Sequence, residues 1–301
     1  MAKSPKVGII ILNWNQEKDT TACLSSLSKI DYSNYEIVVV DNGSRDGSPE
    51  KIKAKFHNIT LIKNKENLGF AEGNNVGIRY LMAKSVDYIL LLNNDTIVES
   101  NFLTELVRVG ESSTDIGILA PKIYFLDKPD QIWYAGGYFR RITGKTYHRG
   151  LFEKDSGQYD EVAGVDFVSG CAMLIKKEIL EKLKGLDPDY FNSHEDVDFC
   201  LRTKALHYKL LYVPTSKIRH KFAQAMGGRF SSFYIYYRVR NSLLFMEKNG
   251  FPWWKLAYSL ITNPAKMIAF TLLTGNFRGT AAAIKGLRDF LGRKFGRGWE
   301  I

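Results

Sequence analysis

Cysteine is scarce: Cys23, Cys171 and Cys200 are the only three in 301 residues. They are odd in number, widely spaced and set among apolar residues, which fits reduced core thiols better than a disulfide framework or a zinc site. The opening stretch "MAKSPKVGIIILNWN" has no charged segment followed by a separate apolar one. It passes directly into a strand-like run, which argues against a cleaved export signal and for a cytoplasmic protein. A clean apolar run of ~20 residues, the length of a membrane span, is also missing. Asn263, Pro264 and Lys266 interrupt the most hydrophobic window. There is no G-x-G-x-x-G, so no dinucleotide is implied.

Acidic residues almost vanish late in the chain. Residues 201–301 hold 18 Lys and Arg against three Asp and Glu, while residues 1–200 hold 24 against 29. The net charges are therefore +15 and −5. Such asymmetry points to a polyanionic partner for the C-terminal third, either nucleic acid or an anionic membrane face.

A hydrophobic content of 45% is enough for a large core in one large or two small domains. "KVGIIIL", "YEIVVVD", "ITLIKN" and "YILLLNND" are short β-branched or Leu-rich runs that predict buried parallel strands. Between them, "TTACLSSLSKI", "SPEKIKAKF" and "GFAEGNNVGIRYLMAKS" space their apolar residues as helices do. The first hundred residues thus predict a βαβαβαβ unit of the nucleotide-binding kind, with ligands beyond the carboxyl ends of the strands. Asn13, Asp41 and the triplet Asn93, Asn94 and Asp95 stand at those ends and should share one rim. From about residue 115 to 215, "IGILAPKIYF", "AGGYFRR", "GVDFVSGCAMLIKKEILEKL" and "KLLYVP" predict more strands and a helix. A further helix begins near Glu195, with Glu195 and Asp196 in its first turn, where the helix dipole favours carboxylates.

"IIILNWN", "VVVDNGSRDGS", "NKENLGFAEGNNVGI", "LLLNNDT", "SGCAMLIKKEIL", "HEDVDFCLR" and "IRH" follow one another in this order. Together they resemble the family 2 inverting glycosyltransferases of the GT-A fold, most of all the bacterial branch that contains rhamnosyltransferases. The resemblance covers roughly residues 5 to 245 and rests on the order of its motifs. It implies an α/β fold with a mostly parallel sheet. Residues 1–245 would form the catalytic domain, split into a nucleotide-sugar half (1–115) and an acceptor half (116–245), and residues 246–301 would form a membrane-associating helical region.

The resemblance also implies roles. Asp41 falls where the family reads the nucleotide, and its carboxylate can accept from a base N–H or a ribose hydroxyl. Asn13, Asn67, Gly69, Asn74, Asn93 and Asn94 complete the expected nucleotide-sugar site; Gly69 lets backbone approach a ligand closely. "NND" matches the family's acidic-x-acidic motif with Asp95 in its second acidic position and Asn93 in place of the first carboxylate. Asp95 and His220 are therefore the expected holders of Mg²⁺ or Mn²⁺, which neutralises a nucleoside diphosphate leaving group. Inversion needs a base for the acceptor hydroxyl. Asp196 matches that position, Glu195 is its rival or orients the acceptor, and Asp198 is expected to pair with Arg202.

In the tail, "AAAIKGLRDFLGRKFGRGW" places Ile284, Leu287, Leu291 and Phe295 on one side of a basic helix. That pattern, with interfacial Trp and no nucleic-acid motif, favours an anionic membrane over nucleic acid. The expected partners are a dTDP- or UDP-sugar donor and a glycan or lipid-linked acceptor, with dTDP-rhamnose the leading donor. Two other classes stay open. A sugar-phosphate nucleotidyltransferase would need a basic Gly-rich loop where this chain has "NWNQEKDT". A membrane-binding scaffold would need none of the site residues.

Overall fold

The computed structural model describes residues 4–140, 145–221 and 231–299. Arg141, the last residue of the expected strand "AGGYFRR", lies outside them. The elements run β1 (Val7–Asn13), α1 (Glu17–Leu27), β2 (Tyr35–Asp41), α2 (Ser48–Lys55), β3 (Thr60–Lys63), α3 (Gly69–Met82), β4 (Tyr88–Asn93), β5 (Thr96–Val98) and α4 (Phe102–Gly110). The second half adds β6 (Ile116–Phe125), β7 (Ile132–Tyr134), β8 (Gly137–Arg140), β9 (Lys145–His148), β10 (Ala163–Gly164), β11 (Ala172–Lys176), α5 (Lys177–Leu183), α6 (Glu195–Ala205) and β12 (Lys209–His220). Three helices close the chain: α7 (Ser232–Lys248), α8 (Trp253–Leu273) and α9 (Phe277–Leu291).

The main sheet has the order β10-β12-β6-β11-β4-β1-β2-β3, with β5 paired to β12 and β7 to β6. The apolar runs of β1, β2 and β4 are buried on both faces, as a sheet covered by helices requires. Their registers place the polar ends side by side: Asn13 pairs with Asp41, and Leu12 with Asn93. This alignment creates the rim expected from the sequence. β11 runs antiparallel between β4 and β6. The turn after β4 sends β5 back along β12, where His220 pairs with Thr96. That single pairing brings the end of a late strand beside Asp95.

α9 packs on α7 through small residues. A Cβ on Gly286 would lie 2.8 Å from the Tyr236 carbonyl oxygen, so only glycine allows this approach. Ala282, Ala283, Gly286 and Phe290 are buried there, Leu287 and Phe295 pack against the core, and Ile284 and Leu291 point outward. The expected one-sided apolar face of this segment is therefore divided between core and surface. α8 is continuous through Pro264, whose ring sits on the buried face with Ser259 and Thr271. By length and composition alone, this 21-residue helix is apolar enough to cross a membrane. It leaves most of its large side chains exposed, among them Trp253 at 80% and Leu273 at 89%.

Candidate active site

One cleft of about 500 Å³ lies across the carboxyl ends of β1 and β4, the end of β12 and the start of α6. Asn67, Gly69, Asn93, Asn94, Asp95, Glu195, Asp196 and His220 line it, so eight of the eleven expected site residues converge. Asn13, Asp41 and Asn74 do not line it. All three are buried.

Behind the rim, Asn13 Nδ2 donates to Asp41 Oδ1 at 2.8 Å and to Ser48 Oγ at 2.9 Å. Thr20 Oγ1 donates to Asn13 Oδ1, and Asn94 Nδ2 donates to Thr20 Oγ1 and Gln16 Oε1. The Ser44 amide donates to Asp41 Oδ2. This chain of bonds ties β1, β2, α1 and the NND turn together, and such buried networks fix their members when every polar group is satisfied. Asn74 Nδ2 donates to the Phe70 carbonyl within α3.

Asn42, missed in the sequence reading, lines the cleft and organises its nucleotide-side loop. Its Nδ2 donates to Asn67 Oδ1 and the Gly69 carbonyl, and its Oδ1 accepts from Asn64 and from the Leu68 amide. Its position beside Asp41 in "DNG" was the available signal. Gly69 has φ +80, and a Cβ there would meet the Phe191 carbonyl oxygen at 2.4 Å. That oxygen accepts from the Phe70 amide at 2.6 Å, joining the α3 start to the loop before α6.

At the far side of the NND turn, Asp95 Oδ1 lies 3.2 Å from His220 Nε2. Asp95 Oδ1 and His220 Nδ1 are nonetheless buried without a well-formed hydrogen bond. Burial alone would lower the His220 pKa, but the facing Cys171 and Asp95 outweigh it and hold it well above the ordinary value. One hard oxygen and one imidazole nitrogen suit a divalent ion whose other ligands come from phosphate and water. Among the described residues, no three His, Cys, Asp or Glu cluster tightly enough to hold a metal by themselves.

The loop into α6, which lines the same cleft, is strained. Phe191, Ser193 and His194 have φ of +60, +72 and +77. Non-glycine residues there cost on the order of 1–3 kcal/mol each and persist only where the surroundings hold them. Here α7 holds them. Asn241 Nδ2 donates to the carbonyls of Tyr190, Asn192 and Ser193 at 2.7 to 2.9 Å. The fully buried Arg240 donates to the carbonyls of Asp189, Tyr190 and Gly296.

The loop delivers Glu195 and Asp196. Asp196 Oδ2 accepts from the Gly170 amide at 3.0 Å and Oδ1 from the Val197 amide at 2.8 Å. Glu195 is buried, and its Oε2 has no hydrogen-bond partner among the described residues. Burial raises both carboxyl pKa values; the neighbouring Asp196 adds to the rise at Glu195, and the backbone amides temper it at Asp196. Asp198 pairs with Arg202 at 2.7 Å, as its spacing predicted. The remaining wall is aromatic, including Trp133, Phe167, Phe191 and Tyr234, and includes His148, whose pKa burial pushes down to about 4.

The model of the family described as glycosyl transferase family 2 matches residues 8–184. Among curated proteins, the dTDP-rhamnosyl transferase RfbF of Shigella flexneri is 28% identical over 256 residues, which are 81% of this chain and 80% of that protein. The low-salt glycan biosynthesis hexosyltransferase Agl10 of Haloferax volcanii is 26% identical over 242 residues, 79% of this chain and 74% of that protein. Among solved structures, the mannosyltransferase PcManGT from Pyrobaculum calidifontis, in complex with GDP-Man and Mn²⁺, superposes with a TM-score of 0.61 at 17% identity. That match covers 97% of this chain and 89% of the other. The likeness shows the GT-A fold expected from the motifs.

Proposed function

Because the chain belongs to glycosyl transferase family 2, we propose that its cleft moves a sugar from a nucleotide-sugar donor to a hydroxyl of a glycan or lipid-linked acceptor, with inversion. The observation that carries this reading is the placement of Asp95 and His220 in the same cleft as Glu195 and Asp196. One pair can hold the leaving diphosphate and the other can take a proton. The volume, about 500 Å³, falls within the usual range of small-molecule and cofactor sites.

Asn67, Gly69, Asn93 and Asn94 contact the donor, Asn13 and Asp41 hold the rim from behind, and Asn74 braces the start of α3. Asp95 and His220 would hold Mg²⁺ or Mn²⁺, which would neutralise charge on the diphosphate. Asp196 accepts the acceptor's hydroxyl proton as that oxygen bonds to the anomeric carbon. The bond from this carbon to the diphosphate breaks, and its electron pair leaves with the nucleotide. Glu195, whose raised pKa favours its neutral form, orients the acceptor. The similarity to RfbF favours dTDP-rhamnose as donor, with a UDP-sugar next.

Residues 246–301 supply the membrane contact. Trp253, Trp254, Tyr258 and Ile261 are exposed on α8, and residues 249–299 carry eight Lys and Arg against one acid, Asp289, which is buried. Exposed aromatic and apolar side chains among basic ones suit the cytoplasmic face of an anionic membrane. A thermal-shift panel of nucleoside diphosphates and nucleotide sugars, with and without Mn²⁺, tests the whole reading, since a ligand of the folded state raises its stability. Stabilisation by dTDP or UDP compounds that grows with Mn²⁺ supports it. A panel without any response contradicts it.

A further inference from the structure

Among the described residues that line the cleft, Arg238 is the one Lys or Arg, and it shares the space with Asp95, Glu195 and Asp196. It pairs with none of these carboxylates. Its Nη1 donates to the Tyr234 hydroxyl at 2.7 Å, and its guanidinium lies 5.7 Å from the Tyr234 ring centre. The side chain is exposed to solvent on α7. A planar fork of N–H donors held by an aromatic neighbour, and without a carboxylate partner among the described residues, is suited to phosphate oxygens.

Arg238 is carried by α7, the helix that holds the loop before Glu195: Asn241 donates to the Asn192 and Ser193 carbonyls, and the Phe245 ring centre lies 5.8 Å from that of His194. The Asp95–His220 pair lies instead at the end of β12. Arg238 therefore sits on the element that borders the acid pair, where the acceptor hydroxyl must reach. From Arg238, α7 runs toward α8, whose first residues are the exposed Trp253 and Trp254. About 15 Å of helix lies between Arg238 and the end of α7 at 1.5 Å per residue. An acceptor with a hydroxyl at Asp196, an anionic link at Arg238 and an apolar tail toward α8 matches this layout.

We propose that Arg238 is the anion-binding group of the acceptor subsite and takes the phosphate oxygens that join a lipid to the acceptor sugar. The assignment rests on the glycosyltransferase reading and adds the acceptor's chemical class. A diphosphate also occurs in the donor, so the test separates the two sources. The full chain is saturated with dTDP and Mn²⁺ and then titrated with farnesyl diphosphate or uncharged farnesol in a calorimeter.

Farnesyl diphosphate is expected to bind without displacing dTDP, and Arg238→Gln to weaken it ~10- to 100-fold, the loss typical of a hydrogen bond to a charged group. Arg238→Lys should lose less, because the charge stays while the fork is lost. Farnesol should bind more weakly and be indifferent to both variants, and dTDP affinity should stay within about two-fold. The proposal is overturned if farnesyl diphosphate only displaces dTDP, if the variants weaken dTDP instead, or if neither ligand responds. If the wild-type chain binds no nucleoside diphosphate with Mn²⁺, the glycosyltransferase reading fails first and the proposal with it.

Discussion

Asp196 accepts a hydrogen bond from the Gly170 amide at 3.0 Å, which ties the first turn of α6 to the segment leading into β11. The adjacent Glu195 has a buried oxygen with no hydrogen-bond partner among the described residues. Two acids next to each other in one cleft do not ionise together easily, and the one that receives N–H bonds is the better anion. Asp196→Asn is therefore expected to lower transfer by ~10²- to 10⁴-fold while nucleotide affinity changes only a few-fold. Glu195→Gln should cost less, mainly as weaker acceptor binding. Steady-state kinetics beside nucleotide titrations check this, and the reverse pattern would make Glu195 the base.

Glu195 also links pH to stability. Its carboxyl pKa is raised well above the ordinary value by burial and by Asp196. Between the unfolded value of ~4.3 and that raised value, the folded state holds more protons than the unfolded one, so stability falls as pH rises. One such group contributes a slope of up to about 1.4 kcal/mol per pH unit. Glu195→Gln should raise the melting temperature at pH 7 to 8 and have little effect near pH 4. Calorimetric melting across that range tests the sign, and a gain largest at pH 4 would refute it.

Asp95 supplies the only carboxylate of the NND turn. Asp95→Ala should abolish the Mn²⁺-dependent part of stabilisation by nucleoside diphosphate and nearly all transfer. His220→Ala should act in the same direction but less, since Asp95 and phosphate oxygens remain. Thermal shifts with and without Mn²⁺ measure both. Full Mn²⁺-dependent turnover in Asp95→Ala would remove the metal assignment.

Asn241 holds the strained loop by three hydrogen bonds from one amide. Its removal takes a donor from the Asn192 and Ser193 carbonyls, whereas the Tyr190 carbonyl keeps its bond from Arg240; each oxygen left unsatisfied where water cannot reach it costs ~1–3 kcal/mol. Asn241→Ala is expected to lower the melting temperature and to reduce kcat more than nucleotide affinity, because the loop delivers Glu195 and Asp196. Equal losses in both would mean that the clamp acts on the whole fold.

On α8, replacing Trp253, Trp254 and Ile261 together with Gln should release the protein from anionic vesicles and leave its melting temperature nearly unchanged, because all three are exposed. Basic residues near such a surface contribute ~1 kcal/mol each, so wild-type binding should also weaken steeply with salt. Vesicle flotation reads both effects. Removal of residues 280–301 is the poorer test, because it strips the buried face of α9 from α7. A triple variant that floats like wild type would place the membrane contact elsewhere.

Local patterns in the sequence carried much of this. The strands of the first half were legible because β1, β2 and β4 are unbroken apolar runs, and their shared direction brings Asn13, Asp41 and Asn93 together without further information. The meeting of Asp95 and His220 is a matter of register between β5 and β12, which no local pattern encodes; it was expected only through the resemblance to a family. Asn241 and Arg238 were not singled out, since an Arg and an Asn in an aromatic helix look alike whether they face a loop, a cleft or water. Pro264 read as an interruption. In the structure it is accommodated on the buried side of α8, where packing outweighs the lost backbone hydrogen bond.

The proposed reaction is a single displacement at the anomeric carbon, and the anomer first released from the donor reports on it. Slow hydrolysis of dTDP-rhamnose by the wild-type chain with Mn²⁺, followed by proton NMR from the first minutes, uses water in place of the acceptor. Rhamnose is expected to appear first as the anomer opposite in configuration to the donor and only later to equilibrate. Rhamnose released first with the donor's own configuration would contradict it.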